Sequence, residues 1–183
     1  MIRTTRTVAC LALILLLVGA CRSEPGPEAA SPSPSVAPAD PGDAFVPLDG
    51  FRYRRVPERV RQQMEDQLTA DPQARQVFEG FEARFAVAGR DTPVLVFAMA
   101  VDPTAAANPF FTEGVFVGFE QGFGGRLSEE DIGGQSVRVG TAPQGGGAIL
   151  WQRGALIIGV FGDSEAAVRD VATQVIEGMS PQA

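Results

Sequence analysis

The sequence predicts an α+β domain in which a mainly antiparallel sheet carries helices packed on one face. Three observations predict it. Apolar and polar residues alternate with period two over Phe81–Val87. Two apolar runs joined by a short glycine turn form a hairpin pattern over Ala148–Phe161. An apolar stripe at helical spacing runs from Ala167 to Ile176, which is typical of a helix on a core.

The first elements after the N-terminal region are a strand and a helix. Phe51 and Tyr53 alternate with arginines, as on a strand with one buried face. Val60, Met64 and Leu68 then recur every four residues, which predicts an amphipathic helix. An Asp-Pro pair interrupts this pattern, because the residue before proline disfavours the helical conformation.

The middle of the chain contains the apolar strand of the domain. Pro93–Val101 is apolar throughout, and its β-branched residues favour a strand covered on both faces over a short buried helix. Gly124–Gly134 is predicted to be a loop. A further strand around Val137 and Val139 precedes the hairpin.

Phe110–Phe123 is compatible with either a helix or a strand. Asn108-Pro109 before it has the form of a helix N-cap followed by proline at the first helical position. Gly114, Gly118 and Gly122 recur every four residues. Each glycine inside a helix costs about 1 kcal/mol relative to alanine. We favour the helix, with the glycines permitting close packing on the sheet.

The last helix has recognisable ends. Asp163 or Ser164 suits its N-cap, and Gly178 suits the position just beyond its C-terminus. Phe81–Gly122 and Val137–Gly178 then share one order of elements, strands followed by a helix. This order suggests a weak internal ββα repeat.

The N-terminus carries an export signal. Two arginines and no acid precede the apolar run Val8–Val18, which is too short to cross a bilayer. Val18-Gly19-Ala20-Cys21 resembles a bacterial lipobox. The resemblance implies that the chain is a lipoprotein, with a diacylglyceryl group on Cys21 and cleavage after Ala20. The alternative is an ordinary signal peptide followed by an incidental cysteine.

These observations divide the chain into four parts. The lipobox resemblance implies that residues 1–20 are a lipoprotein signal peptide and that Cys21 is lipidated, and residues 21–44 are predicted to form a disordered tether rich in proline and serine. Residues 45–179 form a single α+β domain, and residues 180–183 are a tail. We expect the domain to sit on the outer face of the cytoplasmic membrane, held by two acyl chains.

Composition excludes several kinds of chemistry. The net charge of −7 disfavours nucleic acid and anionic lipid headgroups as primary partners. The chain has no histidine, which excludes a Ser-His-Asp triad and imidazole-bound zinc. Its two cysteines lie at positions 10 and 21, so the domain has no thiol nucleophile or thiolate metal site. We therefore expect no catalytic residue, no metal and no cofactor.

Aromatic residues are the candidate binding residues. They could line an apolar cavity, with a filled hydrophobic core as the alternative interpretation. Glycines beside them would leave that cavity open, so Gly118→Leu is expected to fill it. The candidates are Phe111, Phe116, Phe119, Phe123 and Trp151.

Charged runs offer two further candidates. An arginine cluster is interpreted either as an anion site or as a solvated face that pairs with its own acids. Glu129-Glu130-Asp131 lacks the alternating spacing and the glycine of a calcium loop. The clustered arginines are Arg52, Arg54, Arg55, Arg59 and Arg61.

The sequence thus predicts a membrane-anchored, non-enzymatic module that binds an envelope protein or an apolar ligand. Two alternatives stay open. The domain could carry an apolar ligand or lipid in a phenylalanine-lined cavity, or it could be a structural domain of the envelope.

Overall fold

The computed structural model describes residues 39–89, 92–142 and 145–179. The strands are β1 (Arg52–Arg55), β2 (Phe78–Val87), β3 (Val94–Val101), β4 (Leu127–Ile132), β5 (Gln135–Thr141), β6 (Gly147–Arg153) and β7 (Leu156–Gly162). The helices are α1 (Glu58–Leu68), α2 (Pro72–Val77), α3 (Pro103–Ala106), α4 (Pro109–Phe123) and α5 (Glu165–Gly178). A 3-10 helix at Pro41–Ala44 precedes them.

The seven strands form one antiparallel sheet in the order β1-β2-β3-β7-β6-β5-β4. Two meanders, β1–β3 and β4–β7, meet where β3 pairs with β7. Short loops join β2 to β3 and β4 through β7, whereas the connection from β1 to β2 contains α1 and α2. The central β3–β7 pair joins residues about sixty positions apart. The predicted α+β class with an antiparallel sheet is confirmed.

The helices cover both faces of the sheet, where the sequence analysis expected one. All eight residues of β3 are buried, and successive side chains of a strand point to opposite faces. Val96 packs into a core with α5, whereas Phe97 packs into a second core with α1 and α4. A sheet that is apolar on both sides must be covered on both sides.

The α5 face holds the larger core. The predicted stripe of α5 is buried there, and so is Trp151 of β6. The N-terminal segment covers the same face: Ala44 is fully buried, and the 3-10 helix contacts β3. The folded part therefore begins before Phe45, the predicted domain boundary, because residues 41–44 are needed to cover β3.

β4 corrects the predicted loop over Gly124–Gly134. Leu127–Ile132 pairs along its whole length with β5, from Leu127 opposite Gly140 to Ile132 opposite Gln135. Three consecutive acids hid this strand, but an edge strand accommodates charged side chains that a central strand would not. Glu130 also bonds Arg169 of α5 at 2.9 Å.

The predicted helix ends are correct in two cases and wrong in one. The Asn108 side chain accepts a hydrogen bond from the Phe110 amide, and Gly124 ends α4 in the left-handed conformation with φ 73°. Ser164 is the N-cap of α5. Gly178 is instead the last residue of α5, and a Cβ on it would lie 2.8 Å from the Val46 side chain.

The suggested internal repeat is limited to the order of elements. The rotation that exchanges two adjacent antiparallel strands, such as β3 and β7, keeps each face of the sheet in place. The helices that follow these strands, α4 and α5, lie on opposite faces. The two halves are therefore not related by a simple two-fold axis.

The predicted signal peptide, Cys21 and the C-terminal tail at 180–183 lie outside the described residues. Within the described ranges, no helix combines the length and the apolar character needed to cross a membrane.

Candidate functional site

An apolar cleft opens on the face of the sheet that α1 and α4 cover. α1 forms one wall with Val60 and Met64, and the C-terminal turn of α4 forms another. Strands β2, β3 and β7 provide the floor, and glycines 145–147 border one end. The cleft has a volume of about 160 Å³. The cleft thus lies between residues of α1 and residues of α4, over the middle strands of the sheet.

The floor of the cleft is built of phenylalanine rings. Phe97 of β3 lies at its centre, with its ring centroid 5.5 Å from that of Phe119 and 5.6 Å from that of Phe161. Phe81 flanks it at 6.0 Å, and Phe123 lies 6.3 Å from Phe161. These separations are typical of attractive aromatic pairs. The rings therefore support one another and form a rigid apolar surface.

Glycines in the strands make room for these rings. Gly159 of β7 lies opposite Phe97, and a Cβ on Gly159 would overlap the Phe97 ring. Gly140 of β5 likewise leaves space for Leu127 and Phe123. A Cβ on Gly140 would lie 2.6 Å from the Leu127 side chain and 3.0 Å from the Phe123 ring. The flat arrangement of the floor depends on the absence of these two side chains.

Few polar side chains border the cleft. Gln63 and Gln67 project from α1, and Asp163 lies at the end of β7. An amide side chain supplies hydrogen bonds but neither an acid, a base nor a nucleophile. One carboxylate among amides and rings also gives no acid–base pair. The arrangement is suited to holding an apolar group by contact.

The structure brings together two of the five predicted cavity residues. Phe119 and Phe123 line the cleft. Phe111 and Phe116 pack instead with Met99 and Ile157, further along the same face. Trp151 lies on the opposite face, fully buried in the α5 core.

Most of the floor was missed by sequence reasoning, although a signal was present. Phe85 and Phe161 each occur in a strand with alternating or apolar character, and both are only partly buried. Strand alternation assigns residues to faces, but it does not state which strands are neighbours. That information was needed to gather rings from β2, β3 and β7.

Two of the three repeated glycines of α4 do not pack on the sheet as expected, whereas the third, Gly122, is buried and lines the cleft. A Cβ on Gly114 or on Gly118 would meet no atom within 4 Å. Gly118 is also absent from the cleft wall, so Gly118→Leu would not fill the cleft. The side of α4 away from the sheet instead carries Phe110 and Val117, which are 83% and 40% exposed.

The predicted arginine cluster is divided by the fold. Arg61 bonds both Glu58 and Glu65 at 2.7 Å, and its guanidinium lowers the pKa of Glu58. Arg52, Arg54, Arg55 and Arg59 are exposed and make no ion pair or hydrogen bond with the side chains of other described residues. Four arginines therefore stay available at one edge of the sheet.

The acidic run of β4 does not form a cation site. Glu129 accepts a hydrogen bond from Ser136, while Glu130 points to the opposite face and pairs with Arg169. Asp131 accepts a hydrogen bond from the Gly134 amide. Among the described residues, no group of three metal-ligating side chains comes together.

A second, polar depression lies between α4 and β4–β6. Its volume is about 350 Å³. Arg138 bonds Glu113 at 3.0 Å, and Gln152 accepts a hydrogen bond from Thr112 while donating to the Ala106 carbonyl. Its polar groups thus bond one another, which leaves the apolar cleft as the stronger candidate site.

Comparisons with known proteins do not place the chain in a family. No family model, curated protein sequence or solved structure matches it.

Proposed function

We propose that this protein is a non-enzymatic binding module, attached by a diacylglyceryl group on Cys21 to the outer face of the cytoplasmic membrane. Its binding site is the apolar cleft between α1 and α4. The ligand is a molecule that places one apolar group on the phenylalanine floor.

The cleft is the observation that carries this proposal. Its lining is almost entirely apolar. Its rings contact one another and occupy space that side chains at positions 159 and 140 would otherwise fill. Sites for small molecules are mostly apolar and largely preformed, as this one is.

The size of the cleft limits the ligand. At about 160 Å³ it is smaller than a site for a drug-sized molecule, which takes roughly 300–1,000 Å³. An apolar protein cavity of roughly 150 Å³ accommodates benzene. The cleft therefore accepts one ring or a short alkyl segment, while the rest of the ligand lies outside.

Fluorobenzene is a suitable probe for the cleft. The full chain is reconstituted in phosphatidylcholine nanodiscs, and binding is followed by fluorine NMR against empty discs. Gln63→Trp places an indole at the mouth of the cleft and is expected to weaken binding. Gln62→Trp, one residue away on α1 and outside the lining, is the matched control. Equal binding by both variants would contradict the proposed site.

The anchor is tested separately. In a bacterial host, Cys21→Ser is expected to abolish partitioning of the protein into the detergent phase, because the thiol is the atom that is alkylated. Cys10→Ser changes the other cysteine of the chain and is expected to leave partitioning intact. A Cys21→Ser protein that stays in the detergent phase as well as the wild type would contradict the anchor.

A further inference from the structure

We infer that the cleft binds a single-chain anionic amphiphile, with its carboxylate held by Arg54 and its alkyl chain along the phenylalanine floor. This inference rests on the proposed function, since it assigns a ligand class to the same cleft. A free medium-chain fatty acid is the simplest molecule of this kind.

The register of the sheet places Arg54 beside the floor. Arg54 of β1 is directly opposite Phe85 of β2, Phe85 is opposite Leu95, and Leu95 is opposite Phe161. Directly opposed residues point to the same face with Cβ atoms about 5 Å apart. One row on the face of the cleft thus runs from a guanidinium across three apolar side chains, all three of which line the cleft.

The length of this row suits an extended chain. Three steps between neighbouring strands cover about 14 Å, since adjacent strands lie about 4.8 Å apart. The cleft of about 160 Å³ has room for one alkyl segment and not for two chains side by side. A single-chain ligand therefore fits better than an intact diacyl lipid.

The charges at the two ends of the cleft are opposite. Arg54 is exposed and has no partner among the described side chains. Arg52, two residues away on β1, and Arg59, in the first turn of α1, also have none. The nearby acids Glu58 and Glu65 are engaged by Arg61. The cleft is thus flanked by cations at the β1 edge.

The acids on the other side reinforce this polarity. Asp163 lines the cleft at the end of β7 and would repel a carboxylate there. Asp66 lies seven residues from Arg59 on α1, about 10 Å along the helix axis, so it does not neutralise the cationic end. The ligand would therefore bind in one orientation, with its anionic head at Arg54.

The test uses the full chain in phosphatidylcholine nanodiscs and an octanoate that carries a terminal diazirine. After irradiation, mass spectrometry locates the crosslink, which is expected on residues of the cleft floor. Unlabelled octanoate, octanol and octyltrimethylammonium then compete. We expect octanoate to compete best and the cation to compete worst.

Arginine variants separate the charge from the apolar contact. Arg54→Ala is expected to weaken octanoate binding about tenfold, the loss typical of a hydrogen bond to a charged group, while octanol binding is unchanged. Arg54→Lys should recover part of the affinity. Arg126→Ala is the control, because Arg126 is also exposed and unpaired among the described residues but precedes β4, at the opposite edge of the sheet.

Each outcome decides between the two proposals. If octanol competes as well as octanoate and Arg54→Ala has no effect, the anion inference is wrong and the proposed apolar site stands. If fluorobenzene does not bind and the octanoate probe does not crosslink to the cleft, the proposed site itself is wrong. If fluorobenzene binds but the octanoate probe does not crosslink there, the anion inference is wrong and the proposed site stands. If octanoate fails to crosslink but the chain binds phosphatidylglycerol vesicles through Arg54, the arginines recognise a membrane surface, and the inference is overturned.

Discussion

Gly159 and Phe97 lie directly opposite each other where β3 pairs with β7, and the Phe97 ring occupies the space that a side chain at position 159 would need. The same ring stacks on both Phe119 and Phe161, whose own ring centroids lie 6.2 Å apart, so the three rings form a triangle. One missing methyl group thus determines where the centre of the phenylalanine floor lies.

Gly159→Ala should therefore destabilise the protein. The new methyl group must displace a ring that is held by two others, and over-packing of a core typically costs 1–3 kcal/mol. Chemical denaturation followed by the fluorescence of Trp151, the single tryptophan of the chain, measures this loss. A variant as stable as the wild type would show that the floor yields easily.

Gly114→Ala should have the opposite effect. Position 114 lies inside α4, where an added methyl group meets no atom within 4 Å. Alanine restricts the unfolded chain and favours the helix, so we expect a gain of about 0.5–1 kcal/mol in the free energy of unfolding. The same denaturation experiment measures it, and a loss of stability would place this face of α4 against another surface.

Tyr53 should titrate at unusually high pH. Burial raises its pKa to about 12, and the nearby Arg84 opposes this rise only in part. Its hydroxyl is buried and has no hydrogen-bond partner among the described residues. Since it is the single tyrosine of the chain, ultraviolet absorbance follows it alone, and in urea we expect a midpoint near the ordinary value of about 10.

This shift also predicts how stability depends on pH. The folded state holds the proton of the Tyr53 phenol more tightly than the unfolded state does. The contribution of this proton to the free energy of unfolding is therefore complete below about pH 10 and is lost as pH rises towards 12. The free energy of unfolding should fall by about 1 kcal/mol per pH unit in this window. Tyr53→Phe should remove this component of the slope. An unchanged slope would assign it to other groups.

Ser164→Ala should weaken α5. The Ser164 hydroxyl accepts a hydrogen bond from the Ala167 amide at 3.3 Å, and loss of such a cap costs about 1 kcal/mol. Asp163→Ala is the control, since Asp163 was the other cap candidate and is not the N-cap. Thermal unfolding compares the two, and a larger loss in Asp163→Ala would reverse the assignment of the cap.

Local signals in the sequence predicted much of the fold. The α1 stripe, the doubly buried β3 and the hairpin of β6 and β7 are all present near the predicted positions. Each of these patterns involves residues close together in the chain, so the periodicity can be read directly from the sequence. β4 escaped because its acids mask the alternation between Leu127 and Ile132.

The candidate site was predicted less completely. Phe119 and Phe123 were identified because they share one segment with glycines and other rings. Phe85, Phe97 and Phe161 were not, because each belongs to a different strand and their proximity follows from strand order. Trp151 was included by residue type, although its strand directs it to the other face.

By itself, the sequence determined the α+β class, most helices and strands, and the excluded chemistries, because composition, periodicity and caps are local properties. Tertiary structure decided which helix covers which face. β3 is apolar on both faces, so its sequence pattern does not indicate which helix packs on which face. The pairing of β3 with β7 then joined distant rings into one floor and set Arg54 at its edge.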